Sequence, residues 1–209
     1  MEAKKKYELT SETIEFNGST LYRIRAIKSF SDVKAGNLGG WVEKEENLSQ
    51  TDNAWVYSNA KVFGNAIVEG NAKVYGNAEV YGNAVVCDNA KVYGNSEVYG
   101  NAKVYDYAWV YDKSSVHGNA RIRDYAEVHN NAEIYGNAVV CDDADYIVFK
   151  NFWSSGRFFT WTRSNNMWKV GCFYDTGKKL IEKAYRDSET SGKEYEKIVR
   201  YVDSILADK

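Results

Sequence analysis

Ala72-Lys73-Val74-Tyr75-Gly76-Asn77, followed at once by Ala78-Glu79-Val80-Tyr81-Gly82-Asn83, is the stretch that decides the fold. The same six-residue unit runs on to either side. From Ala54 to Ala144, sixteen sites spaced by six hold Ala, or Ser at Ser96 and Ser114, and two residues after each stands Val, Ile or, once, Tyr146. A short fixed period means a stack of like units, so the chain is read as a repeat before anything else. Six is not a multiple of 3.6, so the units are not helices. Residues 72 and 74 face one way and 73 and 75 the other, the alternation of a strand. Gly and Asn then supply the bend, because both tolerate left-handed backbone angles. Each unit is a very short strand and a turn. It has no core of its own, but it can pair with the strand above and the strand below.

This hexapeptide pattern resembles that of the left-handed parallel β-helix. The resemblance implies three units to each triangular coil, residue i lying beneath i+18, a left-handed winding and about five to six coils. Ala or Ser would pack near the corners and Val would fill the prism. Asn53, Asn59, Asn65, Asn71, Asn77, Asn83, Asn89, Asn95 and Asn101 would form ladders along the corners, bonding to neighbouring turns.

Coil stacks end in unpaired backbone and need caps. Residues 1–40 read as an N-terminal hairpin cap. Tyr7-Glu8-Leu9 and Ile14-Glu15-Phe16 flank polar turns, and Asn17-Gly18 marks a hairpin before the run Thr20 to Ile27. Residues 41–146 read as the helix body, and 147–209 as a C-terminal α+β unit. There, strand-like runs at Ile147–Phe149, Arg157–Thr162 and Met167–Tyr174 precede helices at about Gly177–Asp187 and Gly192–Ala207. Ser191 and Glu194 suggest a capping box for the second helix. Its Ile198, Val199, Val202, Ile205 and Leu206 form an apolar stripe.

The formal charge of −2 argues against a strongly basic nucleic-acid binder and a strongly acidic nucleic-acid mimic. No apolar run is long enough to cross a bilayer, and the expectation is a cytoplasmic protein without membrane contact. Cys87, Cys141 and Cys172 show neither a disulfide framework nor a zinc spacing. Cys87 and Cys141 would lie three coils apart, about 14 Å at ~4.8 Å per strand, beyond disulfide reach. The chain has no proline, which suits a continuous ladder.

A more specific resemblance covers about residues 20–145. The stretch from Tyr22 through Asp32-Val33-Lys34-Ala35-Gly36 and Gly39-Gly40-Trp41-Val42 is similar to uncharacterised bacterial and phage-associated hexapeptide proteins, some of which are labelled acetyltransferase. The C-terminal piece, with Gly171-Cys172-Phe173, is similar to modules of phage and prophage proteins. Many β-helix proteins are acyltransferases that use a histidine base beside a cleft between subunits. Here His117 and His129 are the candidates, but both occupy the outward site usually held by Tyr. They are two units apart, on different faces, and no loop interrupts the repeat to form a groove. The three-histidine zinc site of related carbonic anhydrases has no counterpart. The expectation is therefore no catalytic residue, no metal and no cofactor.

Sorting the outward positions by eighteen yields three faces. Face one carries Trp55, Lys73, Lys91, Trp109 and Glu127, beside Tyr57, Tyr75, Tyr93, Tyr111 and His129. Face two carries Phe63, Tyr81, Tyr99, His117 and Tyr135. Face three is mixed, with Ile67, Val85, Cys87, Tyr105, Arg121, Arg123, Val139 and Cys141. Stacked rings stabilise neighbouring coils, while an exposed aromatic patch marks an interface. The expected partner-binding residues are Trp55, Tyr57, Tyr75, Tyr93, Trp109 and Tyr111 on face one, with Arg157, Trp161, Arg163 and Lys169 in the C-terminal piece. The latter run, with Trp153 and Trp168, interleaves basic and aromatic residues. That is a pattern for nucleic acid or a nucleotide, and equally for a sheet packed between helices and coil.

The function expected is a non-catalytic solenoid that binds a protein partner, from the host or a second copy of itself as a dimer or trimer. The phage resemblance implies, by analogy, an inhibitor or sponge acting on a host defence system. The alternative is an acyl-CoA-dependent O- or N-acyltransferase.

Overall fold

The computed structural model describes residues 5–207. Each hexapeptide forms one two-residue strand, in a series from β4 (Trp55–Val56) to β18 (Val139–Val140), preceded by β1 (Tyr7–Phe16), β2 (Ser19–Ala26) and β3 (Leu38–Val42). Strands eighteen residues apart pair in parallel, as in Trp55 with Lys73 and Lys91 with Trp109. The amides on either side of the inward Val donate to carbonyls of the next coil, as Trp55 does to Ala72 O at 3.0 Å and Tyr57 to Val74 O at 2.8 Å. The result is a parallel β-solenoid of about six coils with three faces.

The inside of the prism is nearly all Ala and Val at zero exposure. The two serines fit because their hydroxyls are satisfied: Ser96 donates to Tyr93 O at 2.8 Å and Ser114 to Tyr111 O at 2.7 Å. The corner ladders form as Asn53-Asn71-Asn89, Asn65-Asn83-Asn101 and Asn77-Asn95, each side-chain amide donating to the next. Asn59 is not a member of these ladders.

The first coil precedes the sequence beat and is longer. Trp41 pairs with Lys61 and Leu48 bridges to Val68, a step of twenty rather than eighteen. The extra residues, around Gln50, anchor the N-terminal cap: Gln50 Oε1 accepts from the Lys6 and Tyr7 amides at 2.9 and 3.2 Å. Strand β2 pairs antiparallel with β3, so the hairpin extends face two. The two short N-terminal runs are one strand, β1, with a bulge between Leu9 and Thr13. Gly40 sits where the backbone crosses the first coil, and a Cβ there would lie 2.6 Å from Ala60 O and from Val56 Cγ1. Lys6 is buried and donates to Asp52 O and Ala54 O at 3.0 and 2.8 Å, covering carbonyls of the open coil end. Burial pushes its ammonium down to about 8, against the opposing pull of Asp52.

The other end is closed by side chains. Tyr146 hydroxyl donates to Glu127 O, Thr160 Oγ1 accepts from the Glu133 amide, and Ser164 Oγ accepts from the Val139 amide. All three faces thus meet a partner at their last strand. The beat outlasts the coil by one unit: Ala144 is exposed in a 3-10 turn, Asp143–Asp145, that leads out of the prism.

The C-terminal unit is an antiparallel sheet of β19 (Tyr146–Lys150), β20 (Phe158–Thr162), β21 (Met167–Val170) and β22 (Phe173–Asp175), followed by α1 (Gly177–Asp187) and α2 (Glu189–Ala207). The expected third run is two strands, because Gly171 turns the chain at φ 55°. Helix α2 begins earlier than the capping box suggested. Ser188 is its cap, its Oγ accepting from the Ser191 amide at 3.1 Å, and Glu194 instead pairs with Lys197. No helix among the described residues is long and apolar enough to cross a membrane.

Candidate interaction face

Face one is built on strands at Trp55–Val56, Lys73–Val74, Lys91–Val92, Trp109–Val110 and Glu127–Val128. Its Tyr column is continuous. Tyr75, Tyr93 and Tyr111 stack with centroids 4.8 Å apart and planes within 2°, while Tyr57 meets Tyr75 edge-on and His129 follows Tyr111 at 5.3 Å. These rings are half-buried by one another. Burial raises the Tyr75, Tyr93 and Tyr111 hydroxyls above their ordinary pKa, and Glu127, which accepts from Tyr111 at 2.7 Å, adds to the last.

Trp55 does not belong to the open face. It is 1% exposed, held edge-on by Tyr7 at 6.0 Å and Phe30 at 5.4 Å. The segment before β3 folds back over it, a long-range contact that the repeat does not encode. Asp32 from the same segment reaches over the face and accepts from Tyr57 hydroxyl at 2.9 Å and Lys73 Nζ at 2.8 Å. The Lys73 bond holds the Asp32 carboxyl below its ordinary value, and burial with the Asp32 bond raises Tyr57. These residues, with Tyr75 and Lys91, line a shallow hollow of about 410 Å³.

Beyond Lys91 a second hollow of about 460 Å³ opens, lined by Asn89, Lys91, Tyr107, Trp109, Tyr125 and Glu127. Lys91 Nζ lies 4.3 Å over the Trp109 ring. Tyr107 and Tyr125 stack at 5.2 Å and are 52% and 76% exposed. Neither was among the expected partner-binding residues. The signal for them was the corner column at steps of eighteen, Asn53, Asn71, Asn89, Tyr107, Tyr125, where rings replace the Asn ladder.

The C-terminal candidates separate. Trp161 is 1% exposed and Trp168 equally buried, in a core with Phe159, Leu180, Val199 and Val202. Phe159, Trp161 and Trp168 of the aromatic run are therefore the inside of this unit, with Trp153 and Phe158 half-buried. Lys169, 12% exposed, bonds Glu133 at 2.8 Å and so ties the sheet to the solenoid. Arg163 lies 4.0 Å from Asp145, beside the turn where the coil ends. Arg157 alone of the four is exposed.

His117 is not a surface residue either. It is 8% exposed, stacked between Tyr99 at 4.5 Å and Tyr135 at 4.4 Å, with Nε2 3.0 Å from Glu133 Oε1. Burial works to raise the Glu133 carboxyl, and the His117 and Lys169 bonds hold it below its ordinary value. His129 Nδ1 is engaged by Asn130 at 2.6 Å. The cysteines are free. Among the described residues no group of three or more His, Cys, Asp or Glu is placed to hold a metal ion.

The sequence profile of the YdcK β-solenoid repeat matches residues 72–88, the units quoted first above. The chain is a parallel β-solenoid built of hexapeptide repeats. Among curated proteins, this β-helix protein is similar to "Uncharacterized acetyltransferase YdcK" of Escherichia coli (strain K12), 39% identical over 75 residues. The match covers 32% of the β-helix chain and 23% of that relative, so it spans about a quarter of the relative's length.

Proposed function

We propose that this chain is a non-catalytic interaction protein that grips a protein partner on face one, at the hollow of Tyr107, Trp109 and Tyr125. The observation that carries this reading is the exposure of rings where the repeat itself provides a reference. At the same corner three other coils hold Asn, bonded in a ladder, so the fold does not require a ring at 107 or 125. Exposed aromatic residues beside a Lys and a Glu suit an apolar anchor rimmed by charge. A phage or prophage setting, and sequestration of a host defence component, belong to this proposal on the resemblance of the N-terminal junction and C-terminal piece. Either a host protein or a second copy of the chain could occupy the face.

The test places a photo-crosslinking residue at position 125 and, as control, at Lys103 on face three. A single species captured at 125 and lost in Tyr107→Asn supports the reading, and sedimentation separates a host protein from self-association. Equal capture at both positions refutes it.

The second reading is an acyltransferase, favoured by the name of the relative and by the His117–Glu133 pair, which resembles a base with its orienting carboxylate. CoA release from acetyl-CoA in the presence of an amine or sugar acceptor, lost in His117→Gln, would establish it.

A further inference from the structure

We propose that the cleft between the 151–157 loop and α1 binds a small organic anion, with its oxyanion held by Arg157 and Lys183. The site lies in the C-terminal unit, apart from face one, and does not rest on the reading above.

The cleft has a volume of about 240 Å³. That is below the ~300–1,000 Å³ of sites for drug-sized ligands, so the occupant is small. Val170, Phe173 and Leu180 give it an apolar floor. Arg157, Lys183 and Asp187 stand on its rim with hydroxyls of Ser155 and Tyr195. An apolar floor with a few convergent polar groups is the ordinary build of a ligand site.

Two cations line this one cleft. Several basic side chains of this unit are neutralised within it or by the adjoining coil, Lys169 by Glu133, Lys179 by Asp175, Lys193 by Glu189 and Arg200 by Glu196, while Lys150, Lys178 and Arg186 form no ion pair among those of the described residues but lie outside this cleft. Arg157 and Lys183 form no ion pair among those of the described residues, although Asp187 lines the same cleft. Two cations against one carboxylate leave the rim one charge positive, which favours an anion. A guanidinium and an ammonium together suit a carboxylate or phosphate oxygen set.

The loop that carries Arg157 is set before any ligand arrives. Asn151 is buried, and its amide donates to Arg157 O at 2.7 Å. Its Oδ1 accepts from the Ser154 amide at 2.9 Å, and its Nδ2 donates to Tyr195 hydroxyl at 3.4 Å. Gly156 takes the left-handed turn at φ 67° that directs the chain into β20. A loop fixed at both ends loses little entropy on binding.

Phosphate esters and carboxylates share this chemistry, and the experiment separates them. The full chain, labelled with nitrogen-15, is titrated with phenyl phosphate, with benzoate and with inorganic phosphate. The expected result is amide shifts at Ser155, Gly156 and Lys183 with at least one organic probe, stronger than with inorganic phosphate. Arg157→Gln and Lys183→Gln should each weaken binding about tenfold, the usual worth of a charged hydrogen bond. Asp187→Asn should tighten it, a gain that misfolding cannot mimic. Lys103→Gln on the solenoid should change nothing. No shifts at these amides with any probe up to ~10 mM, or wild-type affinity retained in both Arg157→Gln and Lys183→Gln, overturns the proposal.

Discussion

Tyr93 and Trp161 are both aromatic residues on or beside β-strands, yet they lie on opposite sides of their structures. Tyr93 stands outside the solenoid, 4.8 Å from a ring above and another below. Trp161 is 1% exposed, inside the C-terminal unit beneath its helices. The cause is the space each architecture encloses. Three short strands per coil leave a prism filled by Ala and Val, so rings are displaced outward, where the coil step matches their stacking distance. A sheet packed on helices leaves a layer deep enough for indoles. An aromatic residue therefore means different things in the two regions: ladder or contact surface in one, core in the other.

The comparison can be broken most forcefully from the inside. Trp161→Ala should cost the C-terminal unit about 3–5 kcal/mol, the range for large core rings. Urea unfolding followed by near-ultraviolet dichroism should show an early transition, with the solenoid transition retained.

A buried charge tests the inside at the other end. Lys6 loses its proton near pH 8 when folded and near 10.5 when unfolded. Between these values the unfolded chain binds more protons, so stability rises with pH. Tyr7, raised by burial, acts oppositely above its ordinary pKa near 10, which confines the clean window to pH 8–10. Wild type should gain on the order of 2 kcal/mol across that window relative to Lys6→Met, read as the difference in Tm.

Outside, effects should shrink. Tyr93→Ala breaks two stacks and should cost ~1 kcal/mol, since each cross-strand pair is worth a few tenths to one. Tyr125→Asn, which restores the residue type of the neighbouring ladder, should change stability by less than ~0.5 kcal/mol. If Tyr125→Asn destabilises as much as Tyr93→Ala, the 107–125 pair is ladder and not contact surface.

These contrasts also mark what the sequence made legible. The period of six and the alternation of Ala and Val led directly to the coil, its stacking at eighteen and the Asn ladders, because those are local and repeated. The end pieces were legible as elements, with Ser188 in place of Ser191 as the α2 cap. Trp55 was misplaced because Phe30 and Tyr7, far away in sequence, fold over it. Trp161 and Lys169 were misplaced because a strand pattern does not say which face meets the helices and which meets the coil. Tyr107 and Tyr125 were readable, but in the corner column rather than among the strand positions.

The closing bonds at Tyr146, Thr160 and Ser164 reach only the last coil, and Lys6 and Gln50 reach only the first. Among the described residues, nothing in either cap measures how many coils lie between. The molecule is therefore a ruler marked in steps of eighteen residues. Excision of Glu79 through Ser96 would rejoin Ala78 to Glu97 in register, leave both ends seated as before, and bring them one step, about 4.8 Å, closer together.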